Sequence, residues 1–343
     1  MGVNIGDLVE TKEIKLSDLA GRIIGIDGYN TVHQFLARIR QQGTGETLRD
    51  DQGRVTSHLS GLLYRTSNLI EAGIKPVFAW DGKPPELKKK TIEQRRTIRE
   101  KAAIKWAEAV ARGAAKEAFM YAQASSQLTR EMVEESIQLL DYMGIPSVRA
   151  PSDGEAQLAV MASRGDVWAG ASQDWDSLLF NSPRLVRNLS VSGQKKIPRK
   201  NVYVEVKPEL VELGKVLGSL GISREQLIVV GILVGTDFNP GIKGVGPKTA
   251  LRLVKKHRTL ESVLKNIKWE TDVDAEEVFR FFIYPDARVD YELKWKTPDE
   301  EKLLEFMAEQ HNFSRKRVEK VAKTLRDNLQ QKKREKTLES FFG

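Results

Sequence analysis

The sequence predicts an α/β fold built on a mostly parallel central sheet flanked by helices, and three observations predict it. Short apolar runs alternate with helix-period segments through the first half of the chain, as in parallel sheets whose crossovers are helices. Three of those runs finish on or just before an aspartate, at Asp27, Asp81 and Asp174. Their acids would gather at the carboxyl rim, where open α/β sheets hold ligands. Later, Asn239-Pro-Gly241-Ile-Lys-Gly244-Val-Gly246-Pro-Lys248 opens a helix with the glycine punctuation of a helix-hairpin-helix, a turn whose backbone N–H groups can approach a phosphate.

Composition narrows the function classes. The 343 residues, 40% hydrophobic and 30% charged, suffice for one large or two modest domains. No run approaches the roughly 18 apolar residues of a membrane helix, and the first residues lack a signal core. The expectation is an intracellular protein, cytoplasmic or nucleoid-associated, neither secreted nor in a membrane. Zero cysteines exclude disulfides, zinc-thiolate sites and thiol catalysis, and the four histidines are scattered. Any metal must be held by oxygen. A formal charge of +8 favours an anionic partner, nucleic acid before membrane.

In order, residues 22–27 read as a strand and 30–40 as a helix, followed by a loop over 41–53. A helix over 59–72 stops at Gly73, and the strand 75–81 ends on Asp81. Residues 82–116 hold eleven Lys or Arg against four Glu, and on a helix Lys88, Arg95 and Arg99 share a face. Such a face is either simply solvated or a grip on phosphate. A helix over 119–143 and a strand over 145–148 come next.

The stretch Ala150-Pro-Ser-Asp153-Gly-Glu155 admits two readings: Ser152 and Glu155 as a capping box, or Asp153 and Glu155 as ligands. The pair Asp174/Asp176 lies just past a short buried strand over 167–172. Two carboxylates about 4 Å apart repel by roughly 4 kcal/mol at an effective dielectric of 20, so they need solvent, protons or a cation. Strands over 184–189 and 202–206 are expected around a basic loop, 193–200. An apolar helix over 222–234 leads to Asp237, 269–283 is expected to be helical, and 318–336 forms a basic helix. The tail ends with Leu338, Phe341 and Phe342 among polar residues, a pattern suited to a partner's groove.

Together, Ile26-Asp27-Gly, Phe78-Ala-Trp-Asp81-Gly-Lys-Pro-Pro-Glu-Leu-Lys88, Ala150-Pro-Ser-Asp153-Gly-Glu155-Ala, Ser172-Gln-Asp174-Trp-Asp176 and Val234-Gly-Thr-Asp237 with its helix-hairpin-helix resemble the flap endonucleases, most closely the archaeal form. These are structure-specific 5′ nucleases of DNA replication and repair, and the likeness runs in order along the whole chain. It implies a helical arch beside the sheet and a single nuclease domain over 1–326, with an N-terminal region to about 98, the arch at about 82–130 and an internal region at about 116–258. The helix-hairpin-helix falls at about 238–257, and 327–343 is a basic tail with a sliding-clamp motif at 335–342.

The resemblance also implies roles. Asp27, Asp81, Asp153, Glu155, Asp174, Asp176 and Asp237 would hold two Mg²⁺, with Mn²⁺ able to substitute. Asp27, Asp81, Glu155 and Asp174 would be catalytic together with Lys88 and Arg95, which grip the scissile phosphate. DNA would also meet Thr56 in a 3′-flap pocket, and Gly235, Asp237, Gly241, Gly244, Gly246 and Lys248 around a monovalent cation. His33 stands where many members have a stacking tyrosine. Leu338, Phe341 and Phe342 would bind a sliding clamp of the proliferating cell nuclear antigen type, with Glu335 replacing the usual glutamine. The implied protein is a monomer that cuts branched DNA at the base of 5′ flaps, leaving 5′-phosphate and 3′-hydroxyl ends, with 5′–3′ exonuclease action on nicked or gapped duplex.

Two other readings compete. A related nuclease preferring bubbles or gaps is disfavoured by the short stretch between Asp81 and Asp153. A catalytically silent, clamp-tethered DNA binder is disfavoured by the retention of all seven acids.

Overall fold

The computed structural model describes residues 2–41, 45–190, 193–196 and 203–342, leaving aside the side chains of 193–205 and 330–342. A short strand, β1 (Lys12–Glu13), precedes the apolar β2 (Ile23–Asp27), which runs directly into α1 (Gly28–Arg38). Then come α2 (Ser57–Glu71) and β3 (Lys75–Trp80), buried on both faces. The basic segment forms α3 (Lys89–Ala111), which turns at Gly113 and packs back as α4 (Ala115–Ala124). Next are α5 (Arg130–Tyr142), β4 (Ser147–Arg149), α6 (Gly154–Arg164), β5 (Ala169–Ala171) and α7 (Asp176–Leu179). β6 (Arg184–Arg187), β7 (Gly193–Lys196), β8 (Tyr203–Val206) and β9 (Glu209–Glu212) follow. The rest is helical: α8 (Leu213–Leu220), α9 (Arg224–Val234), α10 (Pro247–His257), α11 (Leu260–Lys265), α12 (Ala275–Ile283), α13 (Glu300–Leu304) and α14 (Arg315–Phe342).

Seven strands form the main sheet in the order β1-β9-β6-β5-β2-β3-β4. Pairings from β6 through β4 are all parallel, so these strands deliver their carboxyl ends to one rim. The strand period of two divides the faces. Ile24, Ile26, Phe78 and Trp80 pack with α1, α2, α5 and α14. On the other face Val77 and Ala79 meet Leu158 and Met161 of α6. A further core joins α7, α9, α10 and α12 to Val3 and Ile5 at the start of the chain. Gly25 is where α6 leans on the sheet: a Cβ there would lie 2.5 Å from Leu158.

Several elements differ from the sequence expectations. β1 and β9 add an antiparallel edge beyond β6; they are short and mostly polar, so no apolar run announced them. The expected strand at 202–206 does not join the main sheet, since β8 pairs only with β7 as a separate hairpin, and part of the expected loop 193–200 is strand. The single helix expected over 119–143 is two, because Thr129 caps a new start by accepting from the Met132 N–H at 3.3 Å. The helix expected over 222–234 is α9, started by a capping box of Ser223 with Gln226, and α8 ahead of it was not expected. Residues 269–274 are not helical, and α12 begins after Asp274, its N-cap. No single helix among the described residues is long and apolar enough to cross a membrane.

Candidate active site

The parallel strands bring their terminal acids together. β2 ends on Asp27, whose Oδ1 accepts the Asn30 N–H at 2.9 Å and so caps α1. Asp81 follows β3 and accepts the Gly154 N–H at 2.8 Å, tying it to the start of α6. Beyond β4, Asp153 caps α6 by accepting from the N–H groups of Glu155 and Ala156 at 3.0 and 3.2 Å. The capping box of Ser152 and Glu155 therefore does not form. The Ser152 hydroxyl is buried without a hydrogen-bond partner, and the Glu155 carboxylate instead accepts from the Ser172 hydroxyl. Past β5, Asp174 accepts from the Asn30 amide at 3.0 Å, and Asp176, opening α7, accepts the Val3 N–H at 2.6 Å. Asp237 enters from the turn after α9, where Gly235 at φ 107 takes a conformation open to glycine.

The electrostatics show one basin. Burial, then the charge of Asp81 and those of Asp153 and Asp174, raises the Asp27 carboxyl well above its usual range against the opposing Asn30 hydrogen bond. Burial, Asp174, Asp176, Asp27 and Asp153 do the same to Glu155. Asp81 is pushed up to about 6 by burial and Asp153, with Lys88 opposing. Asp176 rises to about 7 through burial and the charges of Asp237, Asp174 and Asp153, against the Val3 hydrogen bond. Each of the seven acids thus bears on others at one place.

Two cations partly offset the cluster. Lys88 Nζ lies 2.9 Å from Asp153 and 3.9 Å from Asp237, and the Arg95 guanidinium bonds the other Asp237 oxygen. Burial opposes the charge on Lys88, but Asp153, Asp81 and Asp237 outweigh it and hold the ammonium above its usual range. Thr91 ties the same end of α3 to the turn after α9 by donating to the Asp237 carbonyl at 2.7 Å. One turn beyond Arg95, Arg99 lies 3.1 Å from His33 Nε2; since guanidinium only donates, that nitrogen is an acceptor and the ring neutral. Burial and then Arg99 lower the His33 pKa accordingly. Lys88 closes the short 3-10 turn just ahead of α3 while Arg95 and Arg99 lie in α3 itself, and the three are turned together to the acids and to α1.

Seven carboxylates against two cations leave a buried excess of negative charge, and the donor set is entirely oxygen, the chemistry of hard divalent ions. Among the described residues no three acidic or histidine side chains are arranged to hold an ion as they stand. Their oxygens accept instead from Val3, Asn30, Gly154, Ser172, Lys88 and Arg95. A metal held by these oxygens would have to displace or re-aim some of these donors.

Other expected site residues lie apart. Thr56 is buried just before α2, with its N–H on the Leu48 carbonyl at 2.8 Å. Gly235 and Gly241 approach each other's backbone too closely for a Cβ, Gly244 and Gly246 are exposed in the turn between α9 and α10, and Lys248 is exposed in the first turn of α10. The side chains of Leu338, Phe341 and Phe342 lie outside the described residues. Missed by sequence reasoning were Asn30, Ser172, Val3 and Gly2, where a Cβ would fall 2.7 Å from the Asp176 carboxylate. The sequence signal that could have found them is the Val3-x-Ile5 alternation, two apolar residues on one side of the chain start.

The raised acids make a pH prediction. Unfolded aspartate titrates near about 3.9, whereas folded Asp81 and Asp176 hold protons to about 6 and about 7. The stability they favour is complete below the unfolded value and is lost as pH rises through the folded values. Between about pH 4 and 7 in EDTA, the melting temperature of Asp176→Asn, whose side chain stays neutral, should fall less than that of the parent. Parallel pH curves for the two proteins would contradict the assignment.

Comparison with known proteins agrees. A family model described as the XPG N-terminal domain matches residues 4–102, and one described as the XPG I-region matches 144–237. Asp27 and Asp81 fall in the first match, the other five acids in the second. Flap endonuclease 1 of Staphylothermus marinus is 52% identical over 353 residues, covering 100% of both chains. That of Pyrococcus horikoshii is 52% identical, covering 100% of this chain and 98% of its own. The solved flap endonuclease-1 from Methanococcus jannaschii superposes with a TM-score of 0.76 at 41% identity, covering 96% of this chain and 100% of that one. The catalytic core of Rad2 with a DNA substrate, at 23% identity and a TM-score of 0.69, shares the fold. With the whole chain matched at this identity and every clustered acid inside a matched region, the chain belongs to the flap endonuclease family.

Proposed function

We propose that this metal-dependent nuclease hydrolyses one phosphodiester bond at the base of a 5′ flap, leaving a 5′-phosphate and a 3′-hydroxyl, with 5′–3′ exonuclease action on nicked or gapped duplex. The observation that supports it is the convergence of seven carboxylates from separate segments on Lys88 and Arg95 at the foot of α3. Asp27, Asp81, Asp153, Glu155, Asp174, Asp176 and Asp237 would hold two Mg²⁺ or Mn²⁺ ions, which supply an activated water and stabilisation of the leaving 3′ oxygen. With Asp153 and Asp237 engaged in holding metal, Lys88 and Arg95 would be released from their present partners and could face the scissile phosphate. They then stabilise charge that grows in the transition state. The arch formed by α3 and α4 stands over this point, and one nuclease domain extends to residue 326.

Binding is separable from chemistry. The exposed turn with Gly244, Gly246 and Lys248 offers N–H groups and charge to duplex backbone, with a monovalent cation bridging near Gly235 and Asp237. It positions DNA without reading bases. Thr56 borders a pocket for a 3′ flap. Initial rates on flap, bubble and blunt duplex test the reading: the flap should be cut fastest, with 5′-phosphate product, and a faster bubble would transfer the chain to the bubble-preferring class. The protein acts as a monomer and docks on a sliding clamp through Leu338, Phe341 and Phe342. Removing residues after Arg334 should sharply weaken clamp binding in a pull-down and spare unstimulated cleavage; unchanged binding would remove the tail from this role.

A further inference from the structure

We propose that Asn30 is a positioning residue for the acid cluster: its amide fixes the Asp174 carboxylate relative to Asp27, and Gln34 holds the other end of that amide. The inference rests on the reading of these acids as divalent-ion ligands. Asn30 lies in the first turn of α1 and touches acids from two neighbouring strands. Its backbone N–H donates to Asp27 Oδ1 at 2.9 Å and its Nδ2 to Asp174 Oδ2 at 3.0 Å. The start of α1 is itself fixed, since a Cβ on Gly28 would lie 2.7 Å from the Trp80 ring.

An asparagine amide has an accepting and a donating end of nearly equal shape. Here Gln34 Nε2, one turn on, donates to Asn30 Oδ1, which leaves only the donating end for Asp174. The brace continues on the far side: the Asp174 N–H donates to Ser172 Oγ at 3.2 Å, and that hydroxyl donates to Glu155. A neutral donor orients a carboxylate without cancelling its charge. Lys88 on Asp153 competes with a metal for the charge it binds, whereas Asn30 on Asp174 does not.

The test uses full-length Asn30→Leu, Gln34→Leu and the double variant, with Asp174→Ala as control. Mn²⁺ affinity is read by electron paramagnetic resonance and Mg²⁺ dependence by cleavage. Loss of an orienting partner of a metal ligand costs about 10–100-fold in metal affinity. Asn30→Leu should weaken Mn²⁺ binding about tenfold and raise half-saturating Mg²⁺ in parallel, with a smaller loss of rate at saturating Mg²⁺. Melting in EDTA should stay near that of the parent. Gln34→Leu should act in the same direction and add nothing to Asn30→Leu, since its effect passes through Asn30. If Asn30→Leu fails to fold, Gln34→Leu alone decides. Folded variants that bind Mn²⁺ as tightly as the parent, while Asp174→Ala does not, overturn the inference and leave the acid assignment standing. Parental Mn²⁺ affinity in Asp174→Ala removes the assignment itself, and the inference with it.

Discussion

Asp174→Ala is expected to abolish Mg²⁺-dependent cleavage while flap DNA still binds within about tenfold of the parent, because backbone contacts made elsewhere dominate nucleic-acid affinity. The charge of Asp174 bears on Asp27, Glu155 and Asp176 together. It sits where the rims of β2 and β5 meet, joined to one through Asn30 and to the other through Ser172. Removing it would take one of the proposed oxygen ligands from the middle of the basin. A metal's contribution of several kcal/mol then disappears, equivalent to a rate below about one part in 10³. The turn before α10, proposed above to hold duplex backbone, is a separate element of the chain from the loop that carries Asp174. Single-turnover cleavage and a gel-shift titration on one flap substrate measure both halves. Normal turnover would refute the carboxylate assignment.

Lys88→Ala should act on stability as well as rate, in opposite metal conditions. Without metal, Lys88 is only 16% exposed and pairs with Asp153, with Asp237 next to it. Removing one partner of a buried pair typically costs about 3–5 kcal/mol. The melting temperature in EDTA should drop clearly, more at pH 8 than at pH 5, where protons on Asp81 and Asp176 relieve the same charge. Mg²⁺ should restore most of it by supplying the missing positive charge. Cleavage at saturating Mg²⁺ should nonetheless fall about 10²–10³-fold, the usual cost of one donor aimed at developing charge. Arg95→Ala should show the same pattern more weakly, since Arg95 is 27% exposed where it pairs with Asp237. A Lys88→Ala protein that cuts at the parental rate would place the phosphate grip elsewhere.

Some features were legible because they are local. β2, β3 and β5 are apolar runs, and a run that stops at an acid marks both a strand end and a rim, which put Asp27, Asp81 and Asp174 on one edge before any coordinates. Lys88, Arg95 and Arg99 were readable as one face from helical spacing. The glycine turn of residues 239–248 was readable because only glycine tolerates its backbone. Others were hidden. β1 and β9 pair through backbone atoms and carry mostly polar side chains, so their sequence looks like loop. The hairpin of β7 and β8 satisfies its own hydrogen bonds, and nothing in its composition says that it stays out of the main sheet.

At the site the division is sharper. The sequence by itself determined which acids could meet and that oxygen alone was available to hold a metal, since residue type and strand periodicity carry that information. The tertiary structure alone decided how those acids are restrained: Asp153 rather than Ser152 caps α6, Val3 and Ser172 each hold one carboxylate, and Asn30 holds two. These donors are neutral, common in any loop or helix, and far from their partners along the chain. A hydrogen bond of about 3 Å depends on where two backbones cross, which no local pattern encodes.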